Sequence, residues 1–353
     1  MMKLAHGALA LSLVLGSAVV AQQSALSMDN ALKTAFARGA DIATSTQSLQ
    51  TAQDDLRVAQ ADPTTLVVAL TQARQSVALA QAQLNASRIT VMGNVATAYL
   101  NLYEAQENLE ILNAQVALDT RNLDVAKAKL AQNNGTALDV RKAENTLATS
   151  RQNLANGKAQ LPTLSNKLEV LLGSDLKGDL TVGAPPAYKE VKYDSAALEK
   201  GLDANLASVL QAAQSVELQT LNVKLADNDY TPANTLADAK TSLATAQRSL
   251  DTARKNAVTT LRDAARNVSN TLEQVKLAQT SLQNDTDGLK QDQQRFKNGS
   301  ISRVQLQTSE LTVLRSQYAL TQAQDNYAKA LNTLSSAAGV DVTGMVAKVG
   351  GGS

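Results

Sequence analysis

The side chains that most enzymes use for catalysis are nearly absent from this sequence. It contains no cysteine and a single histidine, His6, which precedes an apolar stretch at residues 8–20. A Ser-His-Asp triad, a cysteine nucleophile and a zinc site of ordinary ligands therefore all lack residues that they need. We predict that the protein is not an enzyme and that it uses no cofactor and no metal.

Closely spaced acidic residues are the remaining candidates for chemistry. Asp54 and Asp55 are adjacent, and Asp285 and Asp287 lie two positions apart. Paired carboxylates can act as general acid and base or bind calcium, but a calcium loop also needs glycine and further acidic ligands at fixed spacing. Neither pair has these surroundings, so we interpret both pairs as parts of solvated helix faces.

The composition is typical of long, closely packed helices. Apolar residues make up 44% of the chain, but aromatic residues only 3%, and there is no tryptophan. Lysine and arginine total 33 against 32 aspartates and glutamates. Because this balance provides no net attraction for nucleic acid, we predict no nucleic-acid partner.

Apolar residues recur every seven positions along two long stretches, which is typical of coiled-coil helices. The first series is Val95, Leu102, Leu109, Val116, Leu123 and Leu130. The second begins 166 positions later and is Leu261, Val268, Val275, Leu282, Leu289 and Phe296. Because no proline occurs between Pro63 and Pro162, we predict one helix from about Leu66 to Gln132 and a tandem repeat of this unit.

Shorter helices flank each long one, and they complete an all-α fold. In the first repeat a helix begins at the cap Met28-Asp29-Asn30 and ends before Pro63, and another follows the turn at residues 133–136 and ends at Gly173. The second repeat has the same scheme. The sequence therefore predicts a tandem repeat of short-long-short antiparallel coiled-coil helices, in which two short helices stack end to end beside the long one.

The chain divides into five segments. Residues 1–21 have a basic start, an apolar run and small residues at 19–21, as expected of a secretory signal peptide. The first helical repeat occupies 22–173, and a linker rich in proline and glycine, with one short strand at 180–182, occupies 174–193. The second helical repeat occupies 194–339, and residues 340–353 are predicted to be a flexible tail.

Two motifs resemble the TolC-like outer membrane efflux protein family. Residues 94–102, NVATAYLNL, are similar to a helix motif of that family, and residues 295–304, RFKNGSISRV, are similar to the turn at its helical tip. The resemblance extends over residues 28–339 and includes the short-long-short scheme. It implies a homotrimer whose twelve helices form an α-barrel across the periplasm, and whose tips bind a periplasmic adaptor of an efflux pump or a type I secretion system.

The same resemblance suggests site residues at the two tips. Gly135 and Gly299 are expected to adopt positive φ in the turns. The candidate adaptor-docking residues are Asn134, Gly135, Thr136, Arg295, Phe296, Asn298, Gly299 and Ser300. A candidate tunnel constriction lies at Gln305 and Thr308, where the family commonly has acidic residues and this chain does not.

The junctions between short and long helices depart from the family, in which a β-hairpin stands at each. Here the junctions are residues 62–65 and 229–234, too short for two membrane strands of about 9 to 11 residues each. We therefore expect a tunnel without a transmembrane β-barrel. The protein would be exported to the periplasm and associated peripherally with the outer membrane or cell envelope, with a separate outer-membrane or envelope protein at the Pro63/Pro232 end.

Two functions from different classes are consistent with this sequence. The first is a periplasmic helical tunnel component that transports small molecules or proteins with an adaptor and an inner-membrane pump. The alternative is a structural coiled-coil spacer of the bacterial cell envelope, without transport activity. Both asparagine-glycine tips are retained, which favours the tunnel, whereas Gln305 and Thr308 lack the acidic character of a gate.

Overall fold

A computed structural model describes residues 25–175 and 177–350, and the predicted signal peptide lies outside them. The helices in these ranges are α1 Met28–Arg38, α2 Ala40–Ala61, α3 Val67–Ala131, α4 Ala137–Leu172, α5 Ser195–Asn205, α6 Ala207–Ala226, α7 Ala233–Lys297, α8 Arg303–Ala338 and α9 Met345–Gly350. In the same ranges the β pairing is one isolated bridge between Leu26 and Val182, at the position of the predicted short strand. The all-α fold class is confirmed.

The two repeats match each other closely in length. α3 and α7 each have 65 residues, and α4 and α8 each have 36. Both pairs begin 166 positions apart, the same offset as the heptad series. At 1.5 Å per residue, each long helix extends over roughly 100 Å. Among the described helices, none combines the length and the apolar character needed to cross a membrane.

The helices pack side by side as a layer of four rods. α3 contacts α2 and α4 of its own repeat and also α6 and α8 of the second repeat, while α7 contacts α6 and α8. The order across the layer is therefore α2 with α4, then α3, then α6 with α8, then α7. The buried positions of α7 form a single stripe: Ala246, Leu250, Ala257, Leu261, Ala264, Val268, Thr271 and Val275. This stripe agrees with a place for α7 at the edge of the layer.

The short first helix of each repeat is broken, which corrects the prediction of one continuous helix. The breaks lie at Gly39 and Leu206, where ψ is 116° and 112°. Each break meets the end of a neighbouring helix. A Cβ on Gly173, after α4, would lie 3.4 Å from the Cβ of Arg38, and a Cβ on Gly339, after α8, would lie 2.5 Å from the carbonyl oxygen of Asn205. The break thus leaves room for the end of α4 or α8.

The last residue of each heptad series, at the tip, is much more exposed than the residues near the middle of the rod. Val95 is 0% exposed and Leu130 is 38% exposed, while Val275 is 0% exposed and Phe296 is 36% exposed. Each repeat has its own core near the middle of the rods, around Tyr99 in the first and Tyr327 in the second. The rods are therefore packed most densely at their centre.

In the segment predicted as a flexible tail, residues 340–348 pack against both repeats, and Val340 and Val342 contact the core of the second. Met345 and Val346 contact the core of the first repeat, and the Lys348 ammonium lies 2.7 Å from the Asp29 carboxylate. The Asp341 carboxylate accepts hydrogen bonds from the backbone amides of Thr343 and Val346 at 2.8 and 2.7 Å. These contacts join the end of the second repeat to the start of the first, and the boundary drawn at residue 340 stays a prediction.

Candidate functional site

The two tip turns have the same backbone geometry. At the first tip, Asn133 and Asn134 donate backbone hydrogen bonds to the carbonyls of Leu130 and Lys129 at 3.0 and 2.8 Å. At the second tip, Gly299 and Ser300 do the same to Phe296 and Arg295, at the same two distances. These paired bonds close the C-terminus of α3 and of α7 around one residue in the left-handed conformation.

The left-handed residue of the first tip is Asn133, with φ 58°, and not Gly135 as the sequence predicted. Gly299 has φ 71° as expected. Asparagine tolerates the left-handed region better than most residues, which explains why the repeat can use it there. Gly135 instead fits a close approach, since a Cβ on it would lie 3.1 Å from the Cβ of Lys129.

Each tip then starts the next helix with a reciprocal capping box. The Thr136 hydroxyl accepts a hydrogen bond from the Asp139 amide, and the Asp139 carboxylate accepts one from the Thr136 amide at 2.9 Å. Ser302 and Gln305 repeat this arrangement, with the Ser302 amide donating to Gln305 Oε1 at 2.8 Å. The hydrogen bonds from the Thr136 side chain and backbone lower the pKa of Asp139 below its usual value.

The residues suggested for a tunnel constriction are both exposed and both bonded within α8. Gln305 forms the cap just described, and the Thr308 hydroxyl donates to the Val304 carbonyl at 2.9 Å. The capping box is therefore sufficient to explain why a glutamine occupies position 305. A constriction at these two residues stays a prediction from the resemblance.

The two tips lie at the same end of the molecule. Arg315 donates a hydrogen bond to Gln115 at 2.6 Å, and Lys329 donates to Glu104 at 3.2 Å, so α3 and α8 run antiparallel with their tip ends together. The candidate docking residues of both tips are thus presented on one surface. Phe296 is the largest of them, and the guanidinium of Arg303 lies 5.9 Å from the centre of its ring.

The tip end is basic, which the balanced net charge concealed. Residues 127–142 contain four lysines and arginines and one acidic residue, and residues 290–303 contain the same numbers. The opposite end has the reverse balance, with three acidic residues and one basic residue both in 54–66 and in 224–238. The molecule therefore has a charge separation along its long axis, and counting charges in local windows would have revealed it.

The edges of the layer carry exposed apolar side chains. Leu277 on α7 is 70% exposed, and Val58 on α2 and Val170 on α4 are also exposed. Among the described residues, no group of three or more histidine, cysteine, aspartate or glutamate side chains is arranged to hold a metal ion. The tips, the two edges and the opposite end each present exposed residues to a partner.

Comparison with known proteins places this geometry in context. Residues 65–174, which comprise α3, the first tip and α4, match the family model described as outer membrane efflux protein. Two proteins of Pseudomonas putida, a probable efflux pump outer membrane protein SepC and a toluene efflux pump outer membrane protein TtgF, are each 29% identical over 156 residues, which is 43% of this chain. The chain matches about a third, 32%, of the length of each of these relatives.

The fold is also found among solved structures. The outer membrane protein VceC of Vibrio cholerae superposes with a TM-score of 0.65 at 15% identity, covering 89% of this chain and 96% of that one. The resemblance recognised in the sequence is therefore confirmed over residues 65–174, which match the outer membrane efflux protein model, and the helical fold is that of the outer membrane protein VceC.

Proposed function

We propose that this chain is the periplasmic helical tunnel component of a TolC-like efflux or type I secretion system. In this role it moves small molecules or proteins across the cell envelope together with an adaptor and an inner-membrane pump. The observation that carries the proposal is the family match over α3, the first tip and α4. The shared geometry of the two tips supports it, because a docking surface requires shaped turns at one end.

The proposed tunnel is a homotrimer in which the α7 edge of one copy packs against the α2 and α4 edge of the next. Exposed leucine and valine side chains on both edges support this arrangement, since a second copy would remove them from water. Native mass spectrometry of the full chain at micromolar concentration tests it. We expect a trimer for the wild type and dissociation for Leu277→Arg, with Leu225→Arg on α6 as a control that leaves the trimer intact. A folded monomeric wild type would contradict the proposal.

We further propose that the partner at the tips has an acidic surface with room for an aromatic side chain. Four basic residues against one acidic residue at each tip favour such a partner, and Phe296 offers the apolar contact. Because the Debye length is only about 10 Å at 0.1 M salt, binding should weaken as salt is added.

Site-specific crosslinking in cells tests the docking surface. A photoreactive residue in place of Ser300 should capture an adaptor or pump subunit, whereas the same residue in place of Thr231, at the opposite end, should not. Charge reversal with Lys129→Glu and Arg295→Glu should reduce the capture from position 300. Capture of only cell-wall or surface-layer proteins, with unchanged efflux in a deletion strain, would favour the structural spacer instead.

The proposed location is the periplasm, with peripheral attachment to the outer membrane or cell envelope at the Pro63/Pro232 end. There the connections Asp62–Leu66 and Asp227–Pro232 join the short and long helices. Val58, Leu66, Leu225 and Tyr230 leave apolar surface exposed near these connections, which supports a contact with an envelope component. Fractionation of cells expressing the full chain, with crosslinking from position 231, tests this location.

A further inference from the structure

A buried acidic side chain lies in the seam between the two repeats, where α3 packs against α8. Asp325 on α8 is 3% exposed, and its Oδ2 has no hydrogen-bond partner. The carboxyl group of Glu104 on α3, whose side chain is 17% exposed, lies close enough to raise the pKa of Asp325. A buried carboxyl group beside a second carboxylate cannot ionise without a large cost, so Asp325 is expected to hold a proton.

One positive charge accompanies this pair. The Lys329 ammonium donates to Glu104 at 3.2 Å and to the Asn101 side chain at 3.0 Å. The charge of Lys329 therefore neutralises one carboxylate, and the second carboxyl group is expected to be protonated and neutral. The arrangement of one lysine with two carboxyl groups is electrically balanced only when the pair holds a proton.

The other titratable groups nearby do not supply a second positive charge. Tyr103 and Glu107 face this region from α3, and Tyr318 faces it from α8. The Asp292–Ser309 and Asp285–Ser316 hydrogen bonds set α7 against α8 so that residue 276 lies level with Asp325. Lys276 is more than half exposed, however, and pairs with Glu273 at 2.7 Å, so it is turned away to solvent.

We propose that Glu104 and Asp325 form a proton-binding site that holds the two repeats together across the α3–α8 seam. With the proton bound, the two carboxyl groups share a hydrogen bond and Lys329 neutralises the remaining charge. When the proton leaves, an unbalanced negative charge remains in the buried seam, and α3 and α8 separate locally. Loss of the proton thereby loosens the joint between the repeats.

The expected pH range follows from the surroundings of Asp325. Burial and then the Glu104 carboxylate raise the pKa of Asp325 from 3.8 to about 8, and Lys329 opposes the rise. Because the folded chain holds a proton that the unfolded chain releases, the stabilisation is complete below pH 3.8 and is lost as the pH rises toward about 8. In that interval the equilibrium constant for unfolding should rise up to about tenfold per pH unit through this site.

The first test compares the pH dependence of unfolding in three full-length proteins between pH 5 and 9. Asp325→Asn keeps the shape of the side chain but cannot ionise, so it should lose the pH-dependent destabilisation seen in the wild type. Asp287→Asn is the matched control, since Asp287 is an exposed carboxylate of α7 and should leave the slope unchanged. Equal slopes for the wild type and Asp325→Asn would overturn the proposal.

A spectroscopic test reports the proton itself. Infrared difference spectra should show the C=O stretch of a protonated carboxyl group at pH 6 in the wild type, and its loss near pH 9. The band should be absent from the spectra of Asp325→Asn. In Glu104→Gln the pH at which the band disappears should be lower than in the wild type, because the repelling carboxylate is gone. Should Asp325→Asn fail to fold, the Glu104→Gln spectra decide: an unchanged transition would refute the shared proton.

A third test asks whether proton loss loosens the seam. The chain has no cysteine, and a Cβ on Gly93 would lie 3.7 Å from the Cβ of Asn332, a separation suited to a disulfide. In the wild type, amide exchange in α3 and α8 near the carboxyl pair should accelerate above pH 8, beyond the intrinsic effect of pH. Oxidised Gly93→Cys, Asn332→Cys should suppress this acceleration, and equal acceleration in the oxidised and reduced forms would refute opening at the seam.

Discussion

The linker between the repeats should depend on a single glutamine. The Gln106 side chain of α3 donates to the Val182 carbonyl at 2.9 Å and accepts from the Val182 amide at 3.0 Å, as a neighbouring strand would. On its other side the linker bonds to Leu26, whose amide donates to the Thr181 carbonyl at 3.0 Å. Val182 is 4% exposed, so water is poorly placed to replace the glutamine. We predict that Gln106→Leu releases this part of the linker.

The magnitude follows from the two groups left without partners. An unsatisfied buried backbone group costs about 1 to 3 kcal/mol, so the amide and carbonyl of Val182 together should cost about 2 to 6 kcal/mol. A free energy of about 1.4 kcal/mol changes an opening equilibrium tenfold, so the Val182 amide should lose protection from exchange by about 30- to 20,000-fold. Local exchange is the appropriate measure because the long rods need not unfold in one step.

The assay is hydrogen exchange of residues 180–183 in the full chain, read by NMR or by mass spectrometry. Gln152→Leu is the matched control, because Gln152 is exposed on α4 and bonds only to Asn156 among the described residues. The control should leave exchange of the linker unchanged. Full protection of Val182 in Gln106→Leu would show that the Leu26 bridge alone holds the linker and that the energies assigned to Gln106 are wrong.

Two further predictions concern the tip and the C-terminal segment. Gly299→Val should destabilise the second tip by about 1 to 2 kcal/mol through its left-handed backbone alone, since no atom lies within 4 Å of the added Cβ, and thermal unfolding checks this. Asn133→Gly at the equivalent position should not destabilise, and a loss as large as that of Gly299→Val would refute the equivalence of the tips. Asp341→Ala should release α9 from the first repeat, because the Thr343 and Val346 amides lose their acceptor. Faster proteolysis after Gly339 would be the readout, and an unchanged cleavage pattern would contradict it.

The long helices could be predicted almost to the residue because their signals are local. The heptads give their length, prolines and glycines limit their ends, and α3 runs from Val67 to Ala131 where the sequence predicted about Leu66 to Gln132. The breaks at Gly39 and Leu206 could not be predicted in this way. Leucine is a good helix former, and the chain is extended at Leu206 only where Gly339, 133 positions later, brings the end of α8 against Asn205.

The tips show the same limit at the scale of one residue. The asparagine-glycine pairs correctly indicated two turns, but they are not equivalent between the repeats. At the offset of 166 positions, Asn133 corresponds to Gly299, and Gly135 corresponds to Ile301. The position of the helix end determines which residue must be left-handed. An alignment of the two repeats assigns this role to Asn133, whereas the asparagine-glycine motif alone assigned it to Gly135.

The buried charges of the seam were missed because a charged residue on a helix is normally solvated. Asp325 is buried, and Glu104 and Lys329 are partly buried, because the second repeat lies against the first. The duplication itself contains the missing signal: at the same offset, these three residues correspond to Asn270, Ala159 and Thr163, none of which is charged. The contact of α3 with α8 has no counterpart inside either repeat, so residues that serve it have no reason to be duplicated. A charged position with an uncharged counterpart is therefore one expected mark of the seam, but exposed positions such as Arg57, which corresponds to Val223, show the same difference.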